Sequence, residues 1–248
     1  MKIRLRPFFV PAVILACGIL MTTLAFRAPS EAELRVIAYA KEKEIPYASY
    51  PESLIELLER NPEAEEFVLN YPFREEEKAD LKDFDAGKGV PLFLQWDQRW
   101  GYLTCGGDFI GDVGSAPMCL AMAGYRASGG DEKFLPHRVA AYAEEKGYDL
   151  ELNTSQRSLI TKGGADLGLK VKALPLVERK IADYLQNGDP IIASMGPGDF
   201  DNFVVLTGYA DGVVGIHDPD SRINSEKQWS YDEVSGQIKT LWVIQMAA

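Results

Sequence analysis

Apolar positions along the chain change their spacing at about Pro190. Before it they recur mostly at helical intervals, and after it they gather into short blocks of the kind that form strands. Ser30-Glu31-Ala32-Glu33 has the form of a capping box and predicts a helix running to about Lys43, stopped by Pro46. A second helix follows Pro51, with Leu54, Ile55, Leu57 and Leu58 along one side. Asn61-Pro62 breaks it and opens a third, which carries Phe67, Val68 and Leu69 and is closed by Tyr71-Pro72. The charge-dense stretch from Arg74 to Lys88 reads as a linker. Val90 to Gln95 predicts a short strand, and 101–114 a glycine-rich loop. A helix begins near Ser115 and is apolar through Met122; others are predicted over 133–146, 156–167 and 177–187. Ile191 to Ser194 reads as a buried strand. Phe203 to Tyr209 and Val213 to His217 flank Asp211-Gly212, a hairpin signal. A helix over 231–238 precedes a last strand, Leu241 to Met246. Helices first and antiparallel strands second is an α+β order, with a helical lobe packed on a small sheet and a cleft between.

The first residues change the picture. Lys2, Arg4 and Arg6 precede 20 uncharged residues, Pro7 to Phe26, and Arg27 ends the run. That is the length a helix needs to cross a bilayer, with its basic end kept on the cytoplasmic side and the remainder exported. An uncleaved membrane anchor is one reading. A signal peptide cut after Thr23-Leu24-Ala25, giving a secreted protein, is another. A lipid-modified Cys17 is a third, disfavoured because the apolar run continues past it. The expected organisation is a signal peptide or anchor over 1–27, a helical extension and linker over 28–88, and the main domain over 89–248.

The formal net charge is −11, and setting aside Lys2, Arg4 and Arg6 leaves −14. Such a surface repels phosphate backbones, so nucleic acid is not an expected partner. His137 and His217 are isolated and no His-Glu-x-x-His spacing exists, so neither a metal site nor any cofactor is expected. Outside the membrane segment stand Cys105 and Cys119. They could close a short disulfide loop, stabilising by a few kcal/mol on the order of, or remain two small buried residues. Trp96, Trp100, Trp229 and Trp242 are expected to pack the core.

Thiol peptidase chemistry needs a cysteine at a helix N-terminus, a histidine to move its proton, a third group to orient that histidine, and a donor for the oxyanion. Gln95-Trp96-Asp97-Gln98-Arg99-Trp100-Gly101, Gly114-Ser115-Ala116-Pro117-Met118-Cys119-Leu120, Ser194-Met195-Gly196 with Phe203-Val204-Val205-Leu206-Thr207-Gly208-Tyr209, and Asp218-Pro219-Asp220-Ser221-Arg222 come in that order along the chain. Together they resemble the papain-like cysteine peptidases related to the double-glycine leader peptidases that process bacteriocins. The resemblance spans about residues 50 to 245, including the lead-in from Tyr50-Pro51-Glu52 to Asn70-Tyr71-Pro72. It implies a papain-like two-lobed fold and a peptidase-like site.

The same alignment implies an emptied site. The family's Gly-Cys-Gly-Pro-Thr frame reads Gly114-Ser115-Ala116-Pro117-Met118, so Ser115 stands at the nucleophile position. Asn202 stands where the family has its histidine. Asp218 keeps the orienting position, and Gln95 is the oxyanion-donor position by resemblance. Asparagine accepts no proton at neutral pH, and a serine hydroxyl needs a base more than a thiol does. His217 is adjacent to Asp218 and so faces away if Asp218 faces the cleft; His217 is otherwise expected at the surface or in a turn. Ser115 also suits a helix N-cap. The expectation is a catalytically inactive protein that binds a peptide or a partner through its cleft. The alternatives are an active peptidase using Ser115 or Cys119, and an interaction module acting through the helical extension.

Overall fold

Ser30 caps the first helix as its sequence predicts: its Oγ accepts from Glu33 N at 3.1 Å, and Glu33 Oε2 accepts from Ser30 N at 2.6 Å. The computed structural model describes residues 27–75, 84–196 and 202–247. Helix α1 is Glu31–Glu42, α2 Glu52–Arg60 and α3 Glu65–Asn70. Val36, Leu54, Leu57, Leu58, Phe67 and Val68 bury their side chains in one cluster. Each large apolar side chain so buried contributes about 1.5–3 kcal/mol. The cluster is completed by Trp96, Tyr102 and Phe109 of the main domain. Phe67 stacks on Tyr102 with ring centroids 4.3 Å apart, and Tyr102 Oη donates to Phe67 O at 2.7 Å. The helical extension therefore shares a core with the domain that follows it.

The main domain places helices on both faces of a six-stranded antiparallel sheet. The strands are β3 (Leu169–Leu174), β4 (Ile191–Met195), β5 (Phe203–Ala210), β6 (Val213–His217), β7 (Trp229–Ser230) and β8 (Ile238–Met246), in spatial order β3-β8-β4-β5-β6-β7. Ile192, Phe203, Val205, Trp242 and Ile244 face one core; Ile191, Ala193, Val204, Leu206, Leu241 and Val243 face another. That two-residue alternation, buried on both sides, explains why these strands read as unbroken apolar runs. Asp211 and Gly212 turn between β5 and β6 with φ of 51° and 79°, the left-handed pair that suits a tight hairpin.

The first core is built on α5 (Ser115–Ala127), which follows the short α4 (Ile110–Val113). Every residue of α5 from Ser115 to Tyr125 is buried, so the helix is enclosed on all sides. Helix α6 (Pro136–Glu145) packs beside it, and α7 (Asn153–Ser158) continues through a π turn, Leu159–Gly163, into α8 (Gly164–Asp166). Helix α9 (Glu178–Gln186) covers the opposite sheet face through Ile181 and Leu185. Helices α10 (Arg222–Glu226) and α11 (Tyr231–Ser235) flank β7.

Three expectations need correction. Val90 to Gln95 is not a strand: it runs past the end of β6 with one backbone bond, Gln95 N to Pro219 O at 2.8 Å. Pro91 and Pro219 lack the donors a ladder needs. The 101–114 loop holds a small hairpin of β1 (Thr104–Cys105) and β2 (Asp108–Phe109) before α4. Of the expected linker, residues 76–83 lie outside the described residues, and Phe84 after them packs edge-on against Phe93 at 4.8 Å. Strand β3 was not expected at all. Among the described residues no helix is long and apolar enough to cross a membrane; the expected membrane segment, residues 7–26, lies outside the described residues.

Candidate functional site

Ser115 opens α5, but as its first helical residue and not as its cap. Gly114 takes the N-cap position and no side chain caps the helix. This corrects the N-cap expectation: the turn of α4 runs directly into α5, with Gly114 N bonded to Ile110 O at 2.8 Å, so residue 114 makes the half-in step. Ser115 is only 2% exposed. Its hydroxyl has no hydrogen-bond partner among the described residues.

Asn202 immediately precedes β5, and its carbonyl accepts from Met195 N at 2.9 Å. The Asn202 side chain is half-buried and makes no hydrogen bond among the described residues. The residue at this strand end that enters the core around α5 is Phe203, which stacks on Trp242. Ser115 and Asn202 are thus not joined.

Asp218 follows β6 and is buried. Its Oδ1 accepts from Asp220 N and its Oδ2 from Asn224 Nδ2, both at 2.9 Å. Burial raises its pKa, against the hydrogen bond from Asn224. The carboxylate is therefore spent on shaping its own turn, with no bond to Asn202. Gln95 is 1% exposed, and its Nε2 donates to Gly111 O (3.2 Å), Asp112 O (3.1 Å) and Asp220 Oδ1 (3.1 Å). Those bonds hold the Gly111–Asp112 segment ahead of α5 and tie it to Asp220. Gln95 Oε1 is buried without a partner.

The remaining nucleophiles and bases lie elsewhere. Cys119 is fully buried, and burial pushes its thiol well above the ordinary range, with the Asp218 charge adding to the shift. Cys105 Sγ donates to Tyr148 O at 3.3 Å, and burial pushes its thiol up to about 12. Both cysteines are free, so the expected disulfide alternative is not formed. His217 is neither a surface nor a turn residue: it lies in β6, half-buried, with Nδ1 3.0 Å from Pro91 O. A carbonyl only accepts, so Nδ1 carries the proton there. Burial lowers the His217 pKa, and the Pro91 bond opposes that. Among the described residues no group of three or more His, Cys, Asp or Glu is gathered to hold a metal ion.

What the sequence did not reveal is how the extension grips this region. Asn61 Nδ2 donates to Asp220 O (2.6 Å) and Oδ1 (3.0 Å), and Trp96 Nε1 donates to Asp220 O at 3.0 Å. Glu63 accepts from Ser221 Oγ at 2.5 Å, Arg222 N at 2.9 Å and Ile223 N at 3.2 Å, closing the N-terminus of α10. Arg60 pairs with Asp112. Burial pushes the Asp220 carboxyl up to about 7, while the Asn61 bond holds it down. Asn61-Pro62-Glu63 carries a helix-breaking signal, but nothing local ties it to a turn 159 residues away.

No family model matches the chain, and no curated protein matches it. Among solved structures it is similar to the peptidase domain of Streptococcus ComA, a bi-functional ABC transporter involved in a quorum sensing pathway. The identity is 15% and the TM-score 0.44, over 64% of this chain and 99% of that one.

Proposed function

We propose that the chain is a papain-like peptidase domain that has lost its chemistry and keeps its scaffold to bind a peptide or a protein partner. The observation that carries this reading is the disconnected site: the Ser115 hydroxyl and the Asn202 side chain have no hydrogen bond to each other or to Asp218. A serine nucleophile needs a base within hydrogen-bond reach. Neither imidazole is bonded to Ser115: the hydrogen bond of His217 runs to the Pro91 carbonyl, and no hydrogen bond joins His137, in α6, to the Ser115 hydroxyl. Cys119 does not replace Ser115, because its thiol is buried and its ionisation suppressed. The ordered resemblance of the Gln95, Ser115, Asn202 and Asp218 segments to the bacteriocin-processing peptidases supports the papain-like part of the reading. The uncharged run after Lys2, Arg4 and Arg6 supports an extracytoplasmic domain held by an N-terminal anchor, or secreted where that segment is cleaved.

Active-site probes test the proposal. A fluorophosphonate and a thiol-directed probe are each applied to the folded protein. Absence of labelling at Ser115 and Cys119 is the expected outcome; stoichiometric labelling of either residue that is blocked by denaturation overturns it. Ser115→Cys combined with Asn202→His asks separately whether the scaffold still suits the chemistry. Recovered peptide turnover in that double variant is expected if only the two reactive groups were lost.

A further inference from the structure

The sheet ends at β3, which pairs with β8 on one side and with no strand on the other among the described residues. This is the edge opposite to β6 and β7, near which Asp218 lies. The edge is open: Lys170, Lys172 and Ala173 are exposed, and the chain continues through exposed Leu176 and Val177. Lys172, Ala173, Leu174, Pro175, Lys180 and Tyr184 are among the residues lining a groove of about 450 Å³ between β3 and α9. Lys170, Lys172 and Leu174 alternate onto the α9 side, since Leu169 and Val171 belong to the core around α5 and Leu174 to the other.

The charge of this edge runs against that of the molecule. The whole chain has a net charge of −11, yet residues 169–180 carry Lys170, Lys172, Arg179 and Lys180 against Glu178 alone. Glu178 is itself engaged, accepting from Tyr209 Oη. Asp183 is the one carboxylate lining the groove.

We infer that β3 is a docking edge for an extended acidic peptide segment, which adds to the sheet as a seventh strand. An added strand satisfies the unpaired backbone groups of β3, while its alternate side chains meet Lys170 and Lys172 on the α9 side. Carboxylates two residues apart match that spacing, and an apolar residue beyond them meets Leu176 and Val177. The same lysines argue against a second copy of this chain as the occupant, because edge-to-edge pairing would bring like charges together. The inference concerns a surface separate from the Ser115 region and stands whether or not that region is silent.

The test is fluorescence anisotropy of a labelled octapeptide alternating glutamate and valine, titrated with the full chain in a neutral detergent. Saturable binding is expected, together with slowed amide exchange within residues 169–174. Lys170→Glu with Lys172→Glu should weaken binding by about tenfold or more, since two attractive cross-strand pairs become repulsive. The reversed variant should bind a lysine-valine peptide of the same pattern. Lys170→Glu alone, at an exposed position, guards against a folding effect of the double change. A peptide of equal charge with proline at every valine position cannot pair as a strand and should fail to bind. Binding of the proline peptide equal to that of the strand-forming peptide, indifference to charge reversal, no saturable binding, or self-association of the chain through β3 would each overturn the inference.

Discussion

Asn61 holds Asp220 at two points, donating from Nδ2 to its carbonyl at 2.6 Å and to its carboxyl Oδ1 at 3.0 Å. The extension is therefore joined to the turn that carries Asp218 by partly buried polar bonds as well as by an apolar cluster. Removing the amide leaves Asp220 O with the Trp96 bond and its carboxyl with the Gln95 bond. Asn61→Ala is expected to lower unfolding free energy by about 1–3 kcal/mol, read from urea denaturation. Asn61→Asp should cost more, because it sets a second carboxylate against Asp220.

Asp220 gives stability a pH dependence of defined sign. Its folded pKa of about 7 lies above its ordinary value of 3.8, so the folded state binds its proton more tightly than the unfolded chain. The stability it contributes is complete below about pH 4 and is lost as pH rises to about 7. Asp218, raised by burial, acts with the same sign. His217 and His137, both lowered by burial, act oppositely, gaining stability as pH rises toward 6.5. Asp220→Asn keeps an oxygen for Gln95 and removes the titration. Its stability relative to the parent should rise by about 2–4 kcal/mol between pH 4 and pH 8, measured by denaturation at each pH.

Gly111, in the segment before α5, lies directly against Phe67 of the extension. A methyl group there would come within 2.5 Å of Cζ and 2.6 Å of Cε1 of Phe67, and within 3.2 Å of the Gly101 carbonyl oxygen. Phe67 is clamped by its stack on Tyr102 and has little room to yield. Gly111→Ala should destabilise by about 1–3 kcal/mol, and Phe67→Leu in the same chain should recover part of that loss by opening space. Thermal unfolding of the single and double variants is the measurement.

Thiol accessibility follows from burial. Cys105 and Cys119 are each no more than 1% exposed, and both thiols are pushed upward. Alkylation by iodoacetamide at pH 8, mapped by peptide mass spectrometry, should leave both unmodified in the native protein. Both should react once denaturant is present. Rapid native labelling of Cys119 would show that α5 opens at its first turn.

Much of the fold was legible because its signals are local. The Ser30–Glu33 capping box, the α2 face with Leu54, Leu57 and Leu58, and the Asp211-Gly212 hairpin are each set by neighbours in sequence. Val90 to Gln95 misled because its apolar content outweighs its proline, while pairing depends on donors that Pro91 and Pro219 lack. Strand β3 was readable in principle, since Leu169-Lys170-Val171-Lys172 alternates with a period of two. Residue types at Ser115, Asn202 and Asp218 could be read from the chain, but their hydrogen bonds could not. Gln95 turns toward Asp220 and the segment ahead of α5, and Asn61 and Glu63 reach a turn some 160 residues away. Contacts of that range depend on how lobes dock, which no local pattern encodes.

The central claim is that the scaffold is intact and the chemistry gone. Its most direct test is incubation of the purified full chain with a broad peptide library, alongside Ser115→Ala and Cys119→Ala, with cleavage read by mass spectrometry. No cleavage above buffer by any of the three is the expected result. Cleavage by the parent that disappears in Ser115→Ala or Cys119→Ala would contradict the account.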